Sequence, residues 1–201
     1  MNLALENVFS RAARAVRFLL LCLAASSFAF TPGQSDAETT VSKEYQLKAA
    51  FLYNFVQFVQ WPGNAFTNAQ TPFVIGILGD DPFGAALDET VQGQTVLDHK
   101  LIVQRAKRLE DLRDCQLIFV SKSEKSRMAD ILSTLKDRPV LTVSETQGFA
   151  SHGGMINFYL DGKKVRFELN PEAAQQRGLK ISSQLLSLGK IVESEPGATL
   201  K

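Results

Sequence analysis

Histidine and cysteine are scarce in this chain. Its 201 residues hold two His and two Cys. A zinc centre needs about four such ligands at short spacings, and His99, His152 and the cysteines do not supply them. No Gly-x-Ser-x-Gly elbow is present, and no serine has a recognisable His and acid arrangement, so no catalytic residues are assigned and the chain is read as a non-enzyme. The glycine-rich cradle of a phosphate loop is missing as well. Gly79-Asp80-Asp81-Pro82-Phe83-Gly84 carries two carboxylates where a phosphate would need bare amides. Charge of one sign is lacking too, the formal net charge being +1. That balance offers no electrostatic footprint for nucleic acid and no polybasic surface for anionic lipid. No apolar run reaches the roughly 20 residues that span a bilayer, and nothing implies a metal or cofactor.

What is present begins with an export signal. Arg11, Arg14 and Arg17 precede the apolar run Phe18 to Phe30, and small residues follow. That order is a secretory signal peptide, with cleavage expected after Ala37 or, alternatively, after Ala29. Cutting at Ala37 makes residues 1–37 the signal and 38–201 a single domain. It removes Cys22 and leaves Cys115 alone, expected to be buried at the start of a strand.

Along the chain, Lys43 to Trp61 reads as a helix stopped by Pro62-Gly63. Leu47, Phe51, Phe55 and Phe58 form one apolar stripe, and Leu52, Val56 and Val59 a second. A helix this apolar needs cover on two sides. Either the monomer sandwiches it, or Phe51, Phe55 and Phe58 meet a second chain or partner. Phe73 to Leu78 is a doubly buried strand. Asp80 or Asp81 is expected to cap a helix that follows it, with Pro82 in the first position and a polar-ligand role as the alternative. Further strands are expected at Val96, Leu101–Gln104, Gln116–Ser121 and Val140–Ser144, with helices at Leu109–Arg113 and Glu124–Leu135. This alternation predicts an α/β fold with a mostly parallel, Rossmann-like sheet flanked by helices.

The C-terminal third alternates differently. Met155–Leu160 and Lys163–Asn170 flank Asp161-Gly162, predicting an antiparallel hairpin at the sheet edge that turns on those two residues. That register places Phe158 opposite Val165 and Asn157 opposite Arg166. Asn157, Tyr159 and Arg166 then share a polar face, which is either solvated strand or a surface able to grip a carboxylate or phosphate. Asn170-Pro171-Glu172 is a helix start with a cap, a proline and an acid. Ile181, Leu185, Leu188 and Val192 predict a final amphipathic helix, whose Leu185 and Leu188 join the candidate interface.

Five blocks occur in order: EYQLKAAFLYNFVQFVQWP, ILGDDPFG, DCQLIFVSKSE, LTVSETQGFASHGGMINFYLDGKKVRFELN and GLKISSQLLSLGKIV. Together they resemble the YfiR/HmsC-like family of periplasmic proteins, from about Glu44 to Val192. The resemblance implies a periplasmic α/β domain that dimerises and lacks catalytic activity. It implies a regulator that binds the periplasmic sensory part of an inner-membrane diguanylate cyclase, or another membrane sensor, and lowers cyclic di-GMP synthesis. The alternative is a periplasmic small-ligand-binding protein without such a partner. Relatives often carry cysteine pairs, whereas only Cys115 remains here.

Overall fold

The computed structural model describes residues 35–195 except Asn64, Thr67 and Ala69, with side chains from Lys43 onward. Of the signal peptide expected over residues 1–37, residues 1–34 lie outside the described residues, and the Ser35-Asp36-Ala37 motif falls in the first turn of helix α1 (Ser35–Gln57).

The remaining elements, in order, are β1 (Val59–Gln60), β2 (Phe73–Leu78), α2 (Ala85–Val91), β3 (Thr95–Val96), β4 (His99–Ala106), a 3₁₀ turn (Leu109–Leu112) and β5 (Leu117–Val120). A 3₁₀ turn (Lys122–Arg127) leads into α3 (Met128–Leu135), followed by β6 (Leu141–Ser144), β7 (Ile156–Asp161) and β8 (Lys164–Leu169). The last described elements are α4 (Pro171–Gln176), β9 (Lys180–Ile181), α5 (Ser183–Leu186) and β10 (Lys190–Ile191). Among the described residues, eight strands form one sheet in the order β10-β8-β7-β6-β5-β2-β4-β3. All its pairings are parallel except the β7–β8 and β3–β4 hairpins.

The sheet separates two cores. On one face Phe73, Ile75, Ile77, Phe119 and Val143 pack under α1 and α2. On the other, Val74, Leu78, Ile118 and Val120 meet Met128, Ile131, Leu132 and Leu135. A strand buried on both faces reads as a continuous apolar run, which is why FVIGIL looks as it does. Its glycine has a packing reason: a Cβ on Gly76 would lie 2.8 Å from Cys115 Sγ.

Cys115 is buried beneath that contact. Burial pushes its thiol up to about 12, against a smaller downward pull from Arg138. The thiolate, not the thiol, attacks disulfide reagents. In a Cys22→Ser background at pH 8, Ellman's reagent should therefore react with native protein on the order of 100-fold more slowly than with denatured protein. The raised value also has a stability sign. An unfolded thiol ionises near about 8.5, so the stabilisation from burying the neutral form is complete below that pH. It declines as pH rises toward 12, measurable as a falling denaturation midpoint. Equal labelling rates in the two states would show that the thiol is not shielded.

Several expected boundaries move. Helix α1 stops at Gln57, because Val59 and Gln60 are taken into a strand that pairs antiparallel with Ile181 and Lys180. The helix therefore has one broad buried side, with Leu52, Phe55 and Val56 inside and Leu47 46% exposed. Phe55 lies within ring-contact distance of Phe51, Phe158 and Phe167 in the chain's own core. Leu185 is buried too. As candidate interface residues, Phe55 and Leu185 are thus corrected: their surfaces are already covered. Phe51 and Phe58 are partly buried, and Leu188 remains 67% exposed.

The expected final helix is also corrected. Only Ser183–Leu186 is helical, capped by Ser182, and the flanking residues form β9 and β10. A Cβ on Gly189 would come within 2.6 Å of the Phe167 ring, so glycine lets β10 approach the sheet. Because β10 pairs with β8, the hairpin lies one strand in from the edge. Its register is Phe158↔Phe167, Tyr159↔Arg166 and Asp161↔Lys164, so Gly162-Lys163 forms the two-residue loop. Gly162 has φ +61°, a backbone state that glycine adopts without Cβ strain. The expected start at Asn170 holds, with its side chain accepting from Ala173 N at 2.9 Å.

Candidate functional site

Parallel α/β sheets bind ligands outside the carboxyl ends of their strands. Two places here meet that description, and they differ in what fills them.

The first follows β2. Asp81 does not cap α2, which starts at Ala85 rather than at Pro82. Instead its Oδ1 accepts from Phe83 N at 2.8 Å, and its Oδ2 accepts from Arg105 Nε at 2.6 Å. Arg105 also donates to both carboxylate oxygens of Asp88, at 3.1 and 2.6 Å. Asp80 pairs with Lys107, and its amide donates to Ser123 Oγ at 2.9 Å. The chain's own side chains therefore engage both acids. The two carboxylates lie outside the open cavity described next.

The second place is open. Strand β7 pairs with β6 only at Val143↔Ile156 and Ser144↔Asn157, so Phe158 to Asp161 project past the end of β6. Beneath that overhang, with α1 and the loops after β5 and β6 as walls, lies a cavity of about 870 Å³. Glu44, Lys48, Lys122, Glu145, Asn157, Tyr159, Glu168 and Lys190 are among its lining residues. Its size is typical of small-molecule sites.

A buried charge cluster forms its inner wall. Lys48 and Glu145 have side chains only 3% and 4% exposed, and they pair directly. Lys48 also meets Glu44. Tyr45 donates its hydroxyl to Glu145 Oε1 at 2.9 Å, and Lys122 Nζ stands 3.5 Å from the same oxygen. The Lys48 ammonium lies 4.5 Å from the Tyr45 ring centroid, a cation–π contact. Burial, reinforced by the adjacent Glu145 charge, holds the Tyr45 hydroxyl well above the ordinary phenol range, so it remains a neutral donor. Glu145 thus gathers Tyr45, Lys48 and Lys122 at the end of the sheet.

Of the residues singled out from sequence, Asn157 and Tyr159 line this cavity. Arg166 stands opposite Tyr159 on the exposed side of β8. Asn157 is not wet strand surface: it is 2% exposed, and its Nδ2 donates to Glu168 Oε2 at 3.4 Å. Tyr45, Lys48 and Glu145 were not identified from sequence. One local sign of them exists, since Tyr45, Lys48, Leu52 and Phe55 follow helical spacing and place a lysine on the buried stripe. Its partner lies 97 residues away, beyond any local pattern. Neither histidine belongs to the cavity. His99 stacks on Phe66 at 4.0 Å, and His152 Nδ1 sits 2.7 Å from Gly148 O.

A profile of the YfiR/HmsC-like family matches residues 45–190, from Tyr45 on α1 to Lys190 on β10. The chain belongs to the YfiR/HmsC-like family. The match takes in every strand but the end of β10, together with most of the cavity wall. The family is known for periplasmic regulators of cyclic di-GMP signalling and is regulatory rather than enzymatic. Among solved structures, the chain is similar to a conserved domain protein from Vibrio cholerae O1 biovar El Tor, at 10% identity and a TM-score of 0.50. That alignment covers 75% of this chain and 60% of the other, and it speaks to the fold alone. Among the described residues no helix is long and apolar enough to cross a membrane.

Proposed function

We propose that this YfiR/HmsC-like protein is exported, loses its signal peptide near Ala37, and acts in the periplasm by stoichiometric binding. Its partner is the periplasmic sensory part of an inner-membrane diguanylate cyclase or a similar membrane sensor, which it restrains. The consequence is lower cyclic di-GMP synthesis, without catalysis by this chain. The observation that carries this reading is the family match, which covers the α/β core and most of the cavity wall. Exposed apolar side chains are available for a partner or a second copy: Leu160, Leu188 and Ile191 all remain uncovered. Arg166, on the exposed side of β8, adds an anion-pairing group.

Tagged protein should capture its partner from solubilised inner membranes, and deletion of the gene should raise cellular cyclic di-GMP. Arg166→Ala should weaken that capture roughly tenfold, the scale of one lost charge-assisted hydrogen bond. Its melting temperature should barely move, since surface substitutions usually stay within about 0.5 kcal/mol. A large drop in melting temperature would make Arg166 structural, and unchanged capture would remove it from the interface.

A second reading, a periplasmic small-ligand-binding protein, is favoured by the cavity at the end of β6. The two are compatible if occupancy of the cavity controls partner binding.

A further inference from the structure

The cavity carries more carboxylates than its own cations neutralise. Glu44, Glu145, Glu168, Glu193 and Glu195 line it, against Lys48, Lys122 and Lys190. The inner charges are matched: Lys48 with Glu44 and Glu145, Lys122 with Glu145, and Lys190 with Glu168 at 3.0 Å. The surplus is negative and sits at the mouth, on Glu193 and Glu195.

An independent feature points the same way. Asn157 lines the cavity and is 2% exposed, yet among the described residues its Oδ1 has no hydrogen-bond partner. The orientation of the amide is set by Glu168, a carboxylate that only accepts, so the nitrogen faces it and the oxygen is the free end. An orphaned buried acceptor is costly, and native proteins rarely leave one. The χ2 torsion of asparagine is broad, so a modest turn presents that oxygen to the cavity. What it lacks is an N–H donor, best supplied by an ammonium group.

We propose that the cavity binds a linear organic di- or polyamine. One ammonium sits between Asn157 Oδ1 and Glu168, and another lies toward Glu193 and Glu195 at the mouth. Phe158, Leu160 and Val192 line the same cavity and suit the methylene stem. A divalent metal fits less well. Among the described residues no three His, Cys, Asp or Glu side chains converge as ligands, whereas a flexible chain can match separated charges. This assignment rests on the ligand-binding reading of the cavity.

Titration calorimetry on the purified full-length protein, with 1,4-diaminobutane and spermidine as probes, tests it. Saturable one-site binding is expected, with 1-butylamine at least tenfold weaker. Asn157→Leu should weaken diamine binding tenfold or more. The surface pair Glu193→Gln/Glu195→Gln should also weaken it while leaving folding untouched, which keeps the test open if Asn157→Leu does not fold. Calcium competing as well as the diamine, or diamine affinity unchanged in both variants, overturns the proposal. Binding of succinate but not of diamine overturns the cationic class and leaves the ligand-binding reading standing. Binding of neither probe removes both.

Discussion

Glu145→Leu is expected to lower the unfolding free energy by about 3–5 kcal/mol, the cost of leaving one member of a buried ion pair without its partner. The leucine strips Lys48 of its most enclosed counter-charge and Tyr45 of its acceptor. Glu44 remains, but its side chain is 21% exposed and shares its charge with solvent. In a domain of this size each kcal/mol moves the melting temperature by roughly 2–4 °C, so a fall on the order of 10 °C should be seen. The double variant Lys48→Met/Glu145→Leu is the decisive companion. Replacing both partners with apolar groups removes the stranded ammonium together with its counter-ion, and stability should recover most of the loss. If the single variant loses less than about 1 kcal/mol, water reaches the pair and the cluster is not enclosed. If the double variant recovers nothing, the effect is packing rather than charge. The recovered variant is also useful for function, because it keeps the fold while changing the inner wall of the cavity.

The second large effect is Phe55→Ala, expected to cost about 3–5 kcal/mol as a large-to-small core substitution. Phe55 is fully buried, and its ring lies 5.6 Å from Phe158 and 5.1 Å from Phe167 between centroids. Truncation opens a cavity where α1 meets the β7–β8 hairpin, a junction too crowded with rigid rings to collapse onto the gap. Urea denaturation should show a lower midpoint with an unchanged slope. Leu188→Ala, by contrast, should leave stability within about 0.5 kcal/mol, because that side chain is mostly in solvent. The pair separates the two readings of the apolar stripe. If Phe55 served an interface, its loss would weaken association and spare the monomer.

The outcome for α1 illustrates where sequence patterns stop. Leu52, Phe55 and Val56, drawn from both expected stripes, share one buried side, and the stripes' last members, Phe58 and Val59, lie beyond the helix end. Nothing local ends the helix at Gln57. The end is decided by Ile181, more than 100 positions away, which takes Val59 as its strand partner. The hairpin carries the same lesson at shorter range. Its alternation placed Phe158, Val165 and Phe167 on one face correctly, since a period of two survives a change of turn. Asp161-Gly162 was nevertheless the wrong loop. Pairing Phe158 with Phe167 under the α1 aromatics moved the turn to Gly162-Lys163.

By itself, then, the sequence determined what depends on near neighbours: the doubly buried β2, the strand–helix alternation of a parallel sheet, the capped start of α4 at Asn170, and a family signature spread along the chain. These are readable because hydrophobic periodicity and capping act over a few residues. Only the tertiary structure decided the end of α1, the short strands β1, β9 and β10, and the burial of Phe55 and Leu185. It alone joined Lys48 to Glu145 across 97 positions and left Asn157 facing a cavity rather than water. Two-residue strands carry too little pattern of their own to be seen and exist only because a partner is present. A buried charge looks like any surface charge until its counter-ion and the wall around it are known.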